Sequence, residues 1–250
     1  MANEYAVNQA DLTAVADAIR ARSGTTDALR YPEGFVSAIG AISGGGGVSA
    51  EDIAKRKIGK ITLPDSMTEI GRFAFAYCDA LVMDKLPDNL TFVGMNAFIG
   101  CESLALKELP SGVGTIQQYA FNGCTSLALT ELPPNAYVGN LQVFKGCKAL
   151  RISRMPENAE FVGNQAFADC TGITEMTFPP AMKTLQVNAF ANCTGLTKVT
   201  FEGTPTTIGN TAFTGCTNLI TINVPWAEGA VANAPWGATN ATINYNYTGG

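Results

Sequence analysis

The residues best equipped for chemistry in this 250-residue chain are seven cysteines, and their spacing argues against most of what thiols do. Cys78, Cys101, Cys124, Cys147, Cys170, Cys193 and Cys216 recur at a fixed step of 23 residues. Metal ligation would want clustered CxxC pairs, and the sequence has none. An odd count of equivalent positions reads instead as a ladder of buried small hydrophobes, and free thiols fit a reducing site of synthesis. The chain has no His, which removes the commonest general base and every Ser-His or Cys-His pair. Two carboxylates could still hydrolyse a glycosidic bond, but the 21 Asp and Glu are scattered and none sits in a catalytic setting. The expectation is a protein that is not an enzyme and carries no metal or cofactor.

The cysteines belong to a longer unit. Each follows a Phe by three residues (Phe75, Phe98, Phe121, Phe144, Phe167, Phe190, Phe213) and precedes a Leu or Ile by three (Leu81 through Ile173 to Leu219). A small residue, Ala in six copies and Val143 in one, stands before each Phe and lets neighbouring coils approach. A constant period in the twenties is the signature of a solenoid whose turns bury their apolar faces against one another. One turn can be read from Ile173: Met176 and Phe178 alternate as a short strand, and Pro179 ends it. Leu185 is a second apolar point, and residues 188–193 predict one helical turn wedging Phe190 and Cys193 inward. Ile58, Ile61 and Leu63 form a partial turn that starts the stack.

The unit Ala-Phe-x-x-Cys-x-x-Leu, with Leu-Pro or Phe-Pro after the strand, resembles the BspA-like leucine-rich repeats over about residues 51–225. The resemblance implies an α/β repeat fold: a right-handed leucine-rich-repeat solenoid of seven 23-residue coils with stacked short strands. Members of that family are mostly surface or adhesion proteins, so it also implies binding without chemistry.

Two departures from the repeat matter. After Leu81, Leu104, Leu127 and Leu150 the inner apolar residue comes two places on (Met83, Leu106, Leu129, Ile152), whereas in the last three coils it comes three places on (Met176, Val199, Ile222). Side chains alternate along a strand, so the shift swaps faces and predicts a bulge or a less regular strand early in the stack. It leaves paired polar positions, Asp84-Lys85, Lys107-Glu108, Thr130-Glu131 and Ser153-Arg154, as the candidate binding strip. With strands about 4.8 Å apart, Lys85, Glu108, Glu131 and Arg154 form a column of mixed sign; solvated charge ladders of this kind contribute only tenths of a kcal/mol per pair. In the fourth coil Gly139 stands where neighbours have Ile116 and Val162, so Val138 or Leu141 must fill the gap.

The flanks differ in composition. Residues 1–43 predict a small helical hairpin for attachment or oligomerisation: Leu12, Val15, Ala16 and Ile19 share one face of a first helix, and Pro32 opens a second carrying Phe35, Ala38, Ile39 and Ile42. Residues 44–50 form a Gly-rich linker, and 51–225 the solenoid. Residues 226–250 predict a C-terminal cap with a final strand over 241–247; Trp226 and Trp236 cover the last apolar layer or, alternatively, offer an aromatic contact to a ligand. Residues 1–20 lack the pattern of a secretory signal, and no apolar run reaches the roughly 20 residues that span a membrane. A net charge of −5 with no dense basic cluster argues against nucleic acid. The runs Ala16-Asp17-Ala18-Ile19-Arg20, Leu29 to Phe35, and Val224 to Thr242 resemble segments of tail-associated virion proteins from phages of Gram-positive bacteria. That resemblance implies a location in the virion tail, with other tail proteins and a host cell-surface protein or glycan as partners and a homo-oligomer through the N-terminal helices. The alternative expectation is a leucine-rich-repeat adhesin or interaction module of the bacterial cell surface.

Overall fold

The computed structural model of the protein describes residues 59–249. They wind into a parallel β-solenoid of about eight turns with the 23-residue step. Two columns of short strands run along it. One column holds β1 (Glu69–Ile70), β2 (Phe92–Val93) and β3 (Thr115–Ile116), then β4 (Phe161–Val162), β6 (Thr184–Leu185) and β8 (Thr207–Ile208). The other holds β5 (Glu175–Phe178), β7 (Lys198–Phe201), β9 (Thr221–Asn223) and β10 (Thr242–Asn244). Every pairing is parallel, and Glu175 facing Lys198 shows the register set by the repeat. The predicted alternation holds in β5, whose Met176 and Phe178 point inward. The expected helical hairpin of residues 1–43 and the linker of 44–50 lie outside the described residues.

The core between the columns is built from like residues stacked on like. The seven Phe rings of the repeat are fully buried, with successive centroids 5.1 to 6.0 Å apart. Stacked rings at this separation add to their area burial. All seven cysteines are buried thiols outside any disulfide. From Cys101 onward each thiol donates to the carbonyl of the Phe 26 residues earlier, with Sγ 3.0 to 3.1 Å from the oxygen. A thiol is small enough for this crowded column and still supplies a weak donor to a buried carbonyl.

The segment carrying Phe and Cys is not a helical turn, and the expectation of an α/β repeat is corrected to one of strands and turns: no helix occurs among the described residues. Residues two places before Phe (Phe73, Asn96, Tyr119, Gln142, Gln165, Asn188) have φ between 52° and 59°. Those two places after it are also left-handed: Gly100, Gly123, Gly146 and Gly215, with Tyr77, Asp169 and Asn192 in the other coils. A left-handed residue at each end stops right-handed helical geometry from propagating. Successive tight turns form instead, closed by bonds such as Ala76 N to Phe73 O and Cys78 N to Phe75 O, both 3.1 Å.

The fourth coil resolves its irregularity by a shift of one residue. Tyr137, not Val138, bridges Thr115, a step of 22, and Val138 fills the core at 1% exposure while Leu141 is only half-buried. The residue saved there reappears before Phe144. Neighbouring coils join Ile70 to Gly94 and Val93 to Gln117 by backbone bonds. At Ile116 the side-chain amide of Asn140 donates to the carbonyl instead, at 2.7 Å. The strand ladder is consequently interrupted between β3 and β4.

The C-terminal segment is more than a lid. It forms a further turn, in which the Trp236 carbonyl accepts from Phe213 N as Ala212 does from Phe190 N. β10 pairs in parallel with β9 and completes the sheet.

Candidate functional site

The early coils lack the long strands of the late ones, for the reason their sequence suggests. Met83 and Leu86 are both buried, and residues three apart cannot share one face of a regular strand. The chain bends between them and leaves two consecutive residues outward. The same holds at Leu106 and Leu109, Leu129 and Leu132, and Ile152 and Met155. In the late coils the inward residues are two apart, alternation is restored, and β5, β7 and β9 form.

The bends line up into a groove of about 560 Å³ floored by Leu86, Leu109, Leu132 and Met155 and edged by Pro110, Pro133, Pro134 and Pro156. Of the predicted polar strip, Lys85, Glu108, Glu131 and Arg154 line this groove. Asp84, Lys107, Thr130 and Ser153 precede them and do not. Asp84 instead pairs with Lys60 at 2.8 Å.

The cations at the two ends are already engaged. Lys85 contacts Asp88 at 2.9 Å and Asp65 at 3.4 Å, and the bond to Asp88 is the main influence holding its ammonium above the ordinary value. Arg154 contacts Glu157 and makes a two-pronged contact with Glu202, 48 residues away, all at 2.7 to 2.9 Å. The guanidinium holds the Glu202 carboxyl below the usual carboxylate range, and Glu202 in turn raises Arg154. Glu108 and Glu131 have no cationic partner among the described residues. Four carboxylates (Asp88, Glu108, Glu131, Glu157) thus face two cations in the groove, and the surplus sits at its centre.

The tryptophans pack into the last turn. Trp236 is fully buried and Trp226 nearly so, packed edge-on to each other at 6.3 Å with Phe201 against both. Trp236 Nε1 donates to the Ala232 carbonyl at 2.7 Å, whereas Trp226 Nε1 is buried with no acceptor among the described residues. Neither ring presents a face to a ligand.

Sequence reasoning missed two features. Glu202 lies two coils beyond Arg154, and no local spacing marks the pair. Tyr137 and Phe161 occupy the outward position of the short-strand column, which holds Glu69 in β1, Phe92 in β2 and Thr in β3, β6 and β8, and both are exposed; two aromatics on consecutive coils were the available signal. Among the described residues no group of three or more His, Cys, Asp or Glu could hold a metal ion. Nor is any helix among them long and apolar enough to cross a membrane.

Comparison with known proteins bears on this geometry. The profile of the family described as "BspA type Leucine rich repeat region" matches in six copies, over residues 53–170 and 139–229. No curated protein matches the chain. Among solved structures, a leucine-rich repeat protein of T. pallidum is 29% identical, with a TM-score of 0.54 over 65% of this chain and 78% of that one. A leucine-rich repeat protein of Bacteroides ovatus is 23% identical, with a TM-score of 0.48 over 76% of this chain and 62% of that one. A leucine-rich cell surface protein of Faecalibacterium prausnitzii is 21% identical, with a TM-score of 0.38 over 76% and 73%. None of these three is described as a phage protein. The family match and the T. pallidum structure support the leucine-rich-repeat reading, whereas the virion-tail expectation rests on the short terminal resemblances alone.

Proposed function

Because the chain belongs to the BspA-type leucine-rich repeat family, we propose that it is a non-enzymatic interaction module that works at a bacterial cell surface. Its solenoid serves as a rigid scaffold and the early-coil groove as the binding surface, engaging an extended, cationic segment of a protein partner. One observation carries this reading: Glu108 and Glu131 stand over an apolar floor without a cationic partner among the described residues, while the cations at both ends of the groove are occupied. Glu108 and Glu131 stand on adjacent coils, whose backbones stack at roughly the 5 Å spacing of parallel strands, a step that one Lys or Arg can span. The leucine and methionine floor contributes apolar area, and the fixed backbone keeps the ordering cost of binding on the ligand side. The N-terminal module, residues 1–43, attaches the solenoid to its support or to further copies of the chain.

Panning a yeast-displayed random peptide library against the folded protein tests the reading. Enriched peptides should carry Lys or Arg, weaken with rising salt, and lose tenfold or more in affinity for the Glu108→Gln, Glu131→Gln double variant. Enriched peptides without basic residues, or with undiminished affinity for the variant, would refute it.

A further inference from the structure

Where the strand ladder is interrupted at the fourth coil lies a second cavity, which adjoins the groove at Pro134 but is lined by none of its charged residues; its reading does not depend on the function proposed for the groove. Where the ladder is continuous, strands stack about 4.8 Å apart and outward side chains of adjacent coils close on one another. Tyr137 and Phe161 are not paired in a ladder, and among the described residues Gly163 N, donating to the Val138 carbonyl at 3.0 Å, is the backbone bond that joins their strands. A cavity of about 290 Å³ lies there, at the lower end of the roughly 300–1,000 Å³ of small-molecule sites. Tyr137 is 48% exposed and Phe161 38%, so both rings present apolar surface to solvent with no part in the core.

The Tyr137 ring packs against its own strand two residues on. It lies back over Gly139, where an added Cβ would stand 2.3 Å from the phenol oxygen. The glycine thereby makes room for the ring. Polar groups border the aromatics. Asn135 and Asn158 are exposed lining residues whose side-chain amides have no hydrogen-bond partner among the described residues. Glu160 accepts from Lys183 through Oε1 at 2.7 Å, which leaves Oε2 for another donor.

We propose that this cavity is a carbohydrate site that takes a single pyranose ring. A pyranose has an apolar C–H face suited to an aromatic ring and an equatorial rim of hydroxyls. Each hydroxyl both donates and accepts, and so does a primary amide taken as a whole. No Lys or Arg lines the cavity, which argues against a phosphate or a nucleotide. A proline-rich peptide also stacks on aromatics, but it needs an aromatic-lined groove several residues long. Here the aromatics flank one gap between two coils.

Saturation-transfer NMR on the full chain with glucose, galactose, mannose and N-acetylglucosamine, at millimolar concentration, tests the proposal. At least one sugar should receive saturation on its ring C–H protons. Titration should then show a loss of up to about tenfold for Phe161→Ala, the size of one aromatic contact of about 1.4 kcal/mol, and little change for Phe161→Tyr. Gly139→Ala should weaken binding by displacing the Tyr137 ring, with thermal unfolding of each variant recorded to show that the solenoid is intact. The proposal is overturned if no sugar receives saturation, if the effect survives in an intact Tyr137→Ala, Phe161→Ala double variant, or if a proline-rich peptide binds with the same aromatic dependence in place of a sugar.

Discussion

Truncating Phe144 to Ala probes the organisation of the whole stack. The ring is fully buried and stacked on both sides, at 5.4 Å from Phe121 and 5.4 Å from Phe167. A buried Phe removes about 150–250 Å² from water, which at about 25 cal/mol per Å² gives about 4–6 kcal/mol as an upper bound. Partial burial in the unfolded chain trims this to about 3–4 kcal/mol. Two stacked contacts add about 0.5–1.5 kcal/mol each, and the alanine methyl returns a part, so the expected loss is about 4–5 kcal/mol, at the upper end of core Phe truncations. Phe75 supplies the control. It is equally buried but stacks on only one ring among the described residues, so Phe75→Ala should cost about 1 kcal/mol less. Urea unfolding followed by far-UV circular dichroism reports the whole solenoid, whereas fluorescence of Trp226 and Trp236 reports its C-terminal turn. Because each turn contacts only its neighbours, removing a central ring should also pull the two signals apart. The reasoning is refuted if Phe144→Ala costs under about 2 kcal/mol, or if Phe75→Ala costs as much.

Two further outcomes follow from the same packing. Burial pushes the thiols of Cys124, Cys147, Cys170 and Cys193 up, so a thiol reagent at pH 8 should leave the native protein almost untouched and titrate all seven cysteines in denaturant. Cys216, at the end of the column and 4% exposed, should react first; rapid modification of several thiols under native conditions would contradict the ladder. The Arg154–Glu202 contact should make stability fall with acid. The Glu202 carboxyl is depressed in the folded state, so its contribution is present above the ordinary value of 4.5 and lost as pH drops through the lower folded value. Both side chains are more than a third exposed, so the effect is held to about 0.5–1 kcal/mol. Glu202→Gln should lose that much at pH 7 by urea midpoint and match the unsubstituted protein near pH 3; a gap that persists in acid would contradict the sign.

The 23-residue period, the Phe and Cys columns and the inward positions Met176 and Phe178 are legible in the sequence, because each turn of a solenoid meets only its neighbours and repeats their choices. The swap of faces in the early coils is legible too, since Met83 and Leu86 cannot share one face of a regular strand. The helical turn expected around Phe190 was misread. Apolar spacing of three suits a helix and a string of tight turns alike, and the left-handed residues at Asn188 and Asn192 that decide between them are a backbone property. The sequence by itself determined what repeats: the pitch, the core columns and the outward pairs. Tertiary structure alone decided what does not repeat. Val138 rather than Leu141 enters the core, Arg154 reaches Glu202 two coils away, Glu108 and Glu131 have no cation among the described residues, and a cavity opens beside Tyr137. Each of these depends on how one turn lands on the next in space, and spacing along the chain does not encode it.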